Sequence, residues 1–462
     1  MQGWVIPNGK DPPLKLKPSF PSREGISERF SEKSIPLKIT DIKTYLVGNP
    51  WKNWLFVQMF TDEGTYGIGE GSLGHLSKTV EAAIHEMKPF ILGLDIFQTE
   101  LLVGRLSRNV YADGGQIKMC AISALEIACW DAIGKALNQP IYNLLGGVCH
   151  ERIRTYANGW YRCQRTPQAF ADAARQAVKL GYTALKFDPF GSGWRTLPRR
   201  EEDLAIDIVE AVRKAVGSEV DLAVEAHSRF SVSSAIRIGK RLEPYGLAWF
   251  EEPVPHGNIQ AIVEVARHLE VPIATGESFS SKQQIAELLR YDEIDIINFE
   301  PLHMGGILGS RKVADMVDAH YGLVIPHAAQ GPICTMACIH IDVCTPNAWL
   351  QEVFDDFNEP WEKQLVTNPP EIVDGHIEVP KGPGLGMDLI LDEVLRHPYH
   401  EGLDVSLFEE NWHFRRSKPE PAKAVAPIRR GSHVKAKRDH AGNGDTLPRR
   451  RKHRRTQSAK AD

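Results

Sequence analysis

Between residues 151 and 352, short apolar runs alternate with amphipathic helical stretches, and this alternation restricts the fold more than any other feature of the chain. Strands are expected at Ile153–Asn158, Ala184–Asp188, Asp221–Glu225, Ala248–Glu251, Ile273–Glu277, Ile294–Glu300, Leu323–His327 and Trp349–Glu352. The segments between them, such as PQAFADAARQAVKLG and LAIDIVEAVRKAVG, repeat apolar residues at helical spacing. Strand, helix and strand in succession make a parallel pair, because the helix carries the chain back to the starting edge. Eight such strands in about 200 residues fit an α/β fold of the (β/α)8 barrel type. A doubly wound open sheet is the alternative. It loses support because no GxGxxG lies within the alternating region, 151–352.

The flanks read differently. Residues 1–36 are rich in Pro and charge and read as an extended arm. Residues 37–150 are α+β: LKITDIKTYLV and NWLFVQMFTDEGTYGIGEG suggest strands with a hairpin at Asp-Glu-Gly, followed by helices over Ser77–Leu92 and Gln116–Leu137. Residues 353–416 follow the last barrel strand, and in them HIEVPKGPGLGMDL is expected to pair back with the first region. From Ser417 onward the chain holds 14 Lys and Arg against 4 Asp and Glu, including RRRKHRR at Arg449–Arg455. This tail, 417–462, reads as disordered and basic, able to touch nucleic acid or another polyanion by charge alone.

Several classes are disfavoured. No apolar run is long enough for a membrane span, and the N-terminus lacks the apolar core of a secretory signal. Seven cysteines, an odd number with no CxxC pair, fit a reducing cytoplasmic compartment better than a disulfide framework.

In a parallel barrel the C-terminal strand ends converge on one mouth. The third, fourth and fifth strands end in LAVEAHSRF, AWFEEPV and PIATGESF, which supply Glu225, Glu251 and Glu277. The spacing is 26 residues each time, one βα unit, so the three carboxylates are expected at equal height on neighbouring strands. Three crowded carboxylates repel, and hard oxygen ligands suit Mg²⁺ with positions left open for substrate. His327 closes the seventh strand and Glu300 the sixth, so the carboxylate can fix the tautomer of the imidazole and raise its pKa. His227, two residues after Glu225, is placed in the barrel interior by strand alternation. Lys186 and Asp188 share inward parity on the second strand, where a structural ion pair is the plain alternative.

Taken together, the ISALEIACWDAIGKALNQPIYNLLGG block, YANGWY, ALKFDPFG, VEAHSRF, FEEPV, TGESF, the MGGILGS turn and IPHAAQGPICTMACIHID resemble the enolase superfamily, in its mandelate racemase-like branch, from about Leu37 to Trp412. The likeness is strongest to gluconate- and galactonate-type sugar acid dehydratases. It implies an α+β capping domain from both chain ends closing over a modified barrel, with Mg²⁺ on Glu225, Glu251 and Glu277. It implies His327 with Glu300 as the base and His227 as the acid, with Lys186 assisting. Asp188, Glu352, Arg229, Asn158 and Trp160 are then candidate substrate contacts, and a cap loop such as Gly69–His75 is expected to set substrate stereochemistry. The resemblance also suggests an even-numbered homo-oligomer.

Two departures stand out. Racemases of the branch often carry a second lysine where this chain has Asp188, so no lysine base is present and the gluconate dehydratase pattern is matched. The sixth strand usually ends Gln-Pro-Asp, where this chain has Asn298, Phe299 and Glu300. The expected chemistry is removal of the proton next to a carboxylate, then loss of the 3-hydroxyl to give a 2-keto-3-deoxy acid. The rivals are a racemase, epimerase or cycloisomerase on the same intermediate, and an idle barrel kept as a binding protein.

Overall fold

The computed structural model describes residues 36–402 and 406–414, which fall within one compact unit. The basic tail and nearly all of the N-terminal arm lie outside the described residues.

The chain opens with an antiparallel meander of β1 (Ile39–Gly48), β2 (Asn53–Thr61) and β3 (Tyr66–Glu70). Three helices follow: α1 (Ser77–Met87), α2 (Thr99–Asn109) and α3 (Gly115–Leu137). Helix α3 is apolar nearly all round because it lies between the meander and the barrel. Gly67 and Gly69 let it approach, since a Cβ on either would come within about 2 Å of the α3 backbone at Ala128 or Ala124. The short α4 (Ile141–Leu144) completes this cap.

The barrel then unrolls as β4 (Arg152–Ala157), α5 (Pro167–Lys179), β5 (Ala184–Phe187), α6 (Arg199–Val216), β6 (Asp221–Glu225), α7 (Val232–Leu242), β7 (Trp249–Glu251) and α8 (Ile259–His268). It continues as β8 (Ile273–Thr275), α9 (Lys282–Leu288), β9 (Ile296–Ile297), α10 (Gly306–Asp318), β10 (Leu323–Val324), α11 (Pro332–Val343) and β11 (Gln351–Val353). Each strand from β4 to β10 pairs in parallel with the next. Strand β10 meets Ala348, just ahead of β11, and β11 pairs in parallel with β4, so the pairing returns to its start. Seven helices alternate with eight strands among the described residues; no α-helix directly follows β11, where short 3-10 turns lead the chain away.

The barrel interior has its own small core. Tyr156, Ala184, Ala223, Trp249, Ala274, Ile296, Ile325 and Leu350 form it, one from each strand or its immediate flank. Three alanines make room for Tyr156 and Trp249, whose rings meet edge-on at 5.4 Å. This plug is the floor on which the site rests.

The strands are shorter than the sequence suggested. Asp188, Glu277, Glu300 and His327 sit beyond the strand ends, in the loops of the mouth. The expectation for HIEVPKGPGLGMDL is corrected in part. Within it β13 (His376–Glu378), in a hairpin with β12 (Ile372–Val373), pairs antiparallel with barrel strand β4 and not with the meander. Only the following turn reaches the cap, where Leu385 N donates to Asp131 Oδ1 of α3 at 2.8 Å. After α12 (Leu391–Val394), the chain touches the meander through Gly48 N and His397 O.

Two acids of the cap sit on barrel helices. Glu126 of α3 accepts the N–H of Ile307 and of Leu308, in the first turn of α10, at 2.7 and 3.0 Å. Glu70 at the end of β3 accepts the N–H of Gly331 and of Cys334, at the start of α11, at 2.7 and 2.9 Å. Helix N-termini have spare N–H groups and partial positive charge, so both contacts are favourable.

Candidate active site

Glu225 and Glu251 end adjacent strands and are direct partners in the ladder. Glu277 is not at their height by register, because Glu251 pairs with Ala274 and Glu277 lies three residues further on. It is brought back by the turn at Gly276, whose φ of 144° belongs to glycine. The equal 26-residue spacing therefore reflects register for the first pair and loop geometry for the second. The outcome is the expected one: one carboxylate oxygen from each of the three lies within 4.8 Å of the other two.

The electrostatics of this cluster call for a cation. Burial, followed by the neighbouring Glu225 charge, raises Glu251 above the ordinary carboxylate range despite Lys186 beside it. Burial also raises Glu277 well above that range, against the pull of His327. Lys186 Nζ lies 2.5 Å from Glu251 Oε1, 2.9 Å from Glu352 Oε1 and 3.5 Å from Glu225 Oε2. One ammonium thus serves three carboxylates and leaves Glu277 to His327. Glu251 is further fixed by Trp249 Nε1 at 2.7 Å and Asn298 Nδ2 at 2.8 Å. Three oxygen donors with unmet negative charge suit a hard divalent cation such as Mg²⁺.

Two histidines flank the cluster, and each is held the same way. His327 Nδ1 lies 2.6 Å from Glu300 Oε2, and His227 Nδ1 lies 2.7 Å from Asp188 Oδ2. In both the carboxylate fixes the tautomer and leaves Nε2 for other partners. Glu300 makes this contact although it is one methylene longer than an aspartate. Strand alternation does not explain His227: β6 ends at Glu225, and His227 and Ser228 take left-handed φ values of 48° and 55°. The turn is held by His227 N donating to Glu225 Oε1 at 2.5 Å.

The two imidazoles differ in charge. Burial pulls His327 down, but Glu277, Glu352 and Glu300 outweigh it and lift the ring to about 10. Burial lowers His227 and wins over Asp188, with Arg229 and Lys186 adding repulsion. The carboxylates that lift His327 include a member of the candidate cation cluster, so neutralising that cluster removes part of the lift.

A cavity opens above these groups. Lys186, Glu225, Glu277, His227, His327 and Asn158 line it. Of the five candidate substrate contacts Asn158 lines this space, and the other four are buried and bonded to neighbouring groups. Arg229 is fully buried, and its guanidinium is spent on Ala226 O, Gly191 O and Asp188 Oδ2. Asp188 holds His227, and Arg229 keeps that carboxyl ionised below its ordinary range in spite of burial. Glu352 is enclosed by Lys186, Asn158 Nδ2 and Ala328 N. Trp160 donates to Lys186 O at 2.9 Å and packs behind β5 on Phe187.

Sequence reasoning missed part of the wall. The cap contributes Trp51 and Lys52, between β1 and β2, and not the Gly69–His75 loop. Leu407, Trp412 and His413, from the end of the described chain, roof the cavity. The Trp412 ring meets His227 edge-on at 5.3 Å, and His413 Nε2 is anchored on Cys163 O at 2.8 Å. The aromatic pair in ENWHF was the available sign.

Comparison with known proteins gives a consistent picture. The model described as mandelate racemase / muconate lactonizing enzyme, N-terminal domain, matches residues 39–146, and the one described as enolase C-terminal domain-like matches 169–394. A D-gluconate/D-galactonate dehydratase from Picrophilus torridus is 32% identical over 341 residues, 73% of this chain and 87% of that protein. A D-xylonate dehydratase from Haloferax volcanii is 35% identical over 371 residues, covering 78% and 89%. The crystal structure of a mandelate racemase/muconate lactonizing enzyme from Sulfitobacter superposes with a TM-score of 0.76 at 30% identity, covering 81% of this chain and 98% of that one. No helix among the described residues is long and apolar enough to cross a membrane.

Proposed function

The chain belongs to the mandelate racemase / muconate lactonizing enzyme family of the enolase superfamily and is a lyase of the dehydratase kind, and we propose that it converts an aldonic or aldaric acid to a 2-keto-3-deoxy acid. The observation that carries this reading is one carboxylate-held histidine on each side of the Glu225, Glu251 and Glu277 cluster, in one cavity.

A Mg²⁺ ion on the three glutamates would supply Lewis acidity to the substrate carboxylate. The protein groups do the rest. Lys186, protonated and buried, offers positive charge where the enediolate gathers negative charge. His327 Nε2 takes the proton from C2, while Glu300 on Nδ1 stabilises the imidazolium. His227 gives a proton to the 3-hydroxyl as the C3–O bond breaks, so water leaves and an enol remains, which ketonises. A bound acid adds negative charge beside His227 and favours its protonated form. Trp412 and the cap loop at Trp51 shield the intermediate from bulk water. A homo-oligomer is part of the same reading.

The test is a panel of aldonic and aldaric acids with Mg²⁺ and after chelation, read by 2-keto acid formation and by NMR of the product. A 3-deoxy product from at least one acid is expected. If no acid loses water and no α-proton exchanges in D₂O, the reading fails; inversion or ring opening without a 3-deoxy signal transfers it to racemase or cycloisomerase chemistry.

A further inference from the structure

Glu300 is longer than an aspartate by one methylene and one torsion, and the structure shows how the extra freedom is contained. The side chain is fully buried and both oxygens are taken: Oε2 by His327 Nδ1 at 2.6 Å, and Oε1 by Cys334 Sγ at 2.9 Å. Cys334 stands in the first turn of α11 and is itself fully buried. Its backbone N–H is fixed by Glu70 Oε2 of the cap at 2.9 Å. Four groups therefore stand in line, from cap to base: Glu70, Cys334, Glu300 and His327.

We propose that Cys334 is a positioning residue for this reaction, its thiol holding Glu300 in the rotamer that presents Oε2 to His327. An aspartate at this position would be too short to reach both partners from the same backbone, whereas a glutamate held at one end only could rotate away from the imidazole. The thiol is a weak donor, but its acceptor is charged and no water competes in the buried setting. Burial, with Cys338 and Glu300 nearby, keeps the Cys334 thiol well above its ordinary pKa, so it retains the proton it donates. This inference rests on the assignment of His327 as base, and its test has one arm that does not.

The kinetic arm uses Cys334→Ala, Cys334→Ser, Glu300→Asp and the Glu300→Asp/Cys334→Ala double variant on the acid that the panel identifies. Cys334→Ala should lower kcat about 10-fold with KM within about 2-fold, the split expected when a group acts only through the base. Cys334→Ser, which keeps a donor, should recover most of that loss. In the Glu300→Asp background the alanine change should cost nothing further, because the shorter acid is out of the thiol's reach. Wild-type kcat in Cys334→Ala, or a full additional loss in the double variant, overturns the proposal. The second arm reads the S–H stretch in the infrared, isolated by difference against Cys334→Ser. It should lie at the low-frequency, hydrogen-bonded end in the wild type and move up in Glu300→Asp. A band that does not respond to Glu300 overturns the proposal whatever the activity. A responsive band in a chain inert on every acid upholds the thiol–carboxylate contact and rejects the dehydration reading.

Discussion

Ile307 donates its backbone N–H to Glu126 Oε2 at 2.7 Å, so a carboxylate of the cap closes the N-terminus of a barrel helix. The same carboxylate also accepts Leu308 N at 3.0 Å and Trp130 Nε1 at 2.8 Å. Glu126→Ala would leave three donors without their acceptor where the cap meets the barrel. A loss of about 3 kcal/mol is expected in denaturant unfolding. Gly306→Ala should be comparably harmful, because its Cβ would fall 1.9 Å from Glu126 Oε2 at a φ of +81°. A change below about 0.5 kcal/mol in both variants would show that the seam contributes little.

The same residue predicts a pH dependence. Burial raises Glu126 to about 8, with the Leu308 and Ile307 N–H groups opposing. The folded chain then keeps a proton that the unfolded chain gives up near the ordinary carboxylate pKa of about 4.3. Wild-type stability relative to Glu126→Gln should therefore be greatest at acid pH, fall as pH rises from about 4.5 to 8, and level off above. Paired unfolding curves at pH 5 and 8 check this, and a relative stability that rises with pH would mean that the helix terminus keeps the carboxylate ionised.

The two histidines should separate by assay. His327→Asn is expected to abolish both dehydration and α-proton exchange with D₂O. His227→Asn should lower dehydration by roughly 10²- to 10⁴-fold while exchange continues. Arg229→Lys, which weakens the hold on Asp188, should resemble a milder His227 variant. Exchange surviving in His327→Asn would reassign the base.

Addition of Mg²⁺ should stabilise the chain by mass action, by about 2.7 kcal/mol at one hundred times the dissociation constant. Differential scanning fluorimetry would show this as a concentration-dependent rise in Tm. Glu251→Gln should reduce the rise sharply, since it removes a ligand charge. An equal rise in wild type and variant would place the ion elsewhere.

Trp412→Ala takes away the ring that meets His227 edge-on and part of the cavity roof. KM should increase about 10-fold, worth about 1.4 kcal/mol. Unchanged kinetic constants would show that the C-terminal segment does not cover bound substrate.

Legibility in the sequence followed the range of the contacts. The eight strands were readable because each is a local apolar run, and Glu225 and Glu251 were readable because they end two of them in register. Glu277 was found by a spacing rule that does not describe how it gets there. Asn158 could be placed at the mouth from its motif. The bonds of Arg229, Glu352 and Trp160 could not be read from the sequence, because most of them reach groups in other βα units, such as Asp188, Ala328 and Lys186. Cys334, Trp51 and Trp412 escaped notice for the same reason: each matters through a neighbour at least 34 residues away, such as Glu300 for Cys334. Local periodicity reports which face is buried, not which atom it meets.

Glu126 and Glu70 of the cap meet the barrel at α10 and α11, each beside a glycine, Gly306 or Gly331, that has no room for a side chain. The seam thus works as a keyed joint. A cap grafted from a relative to change the acid accepted would have to bring matching keys, or the recipient barrel would have to be recut at those two glycines.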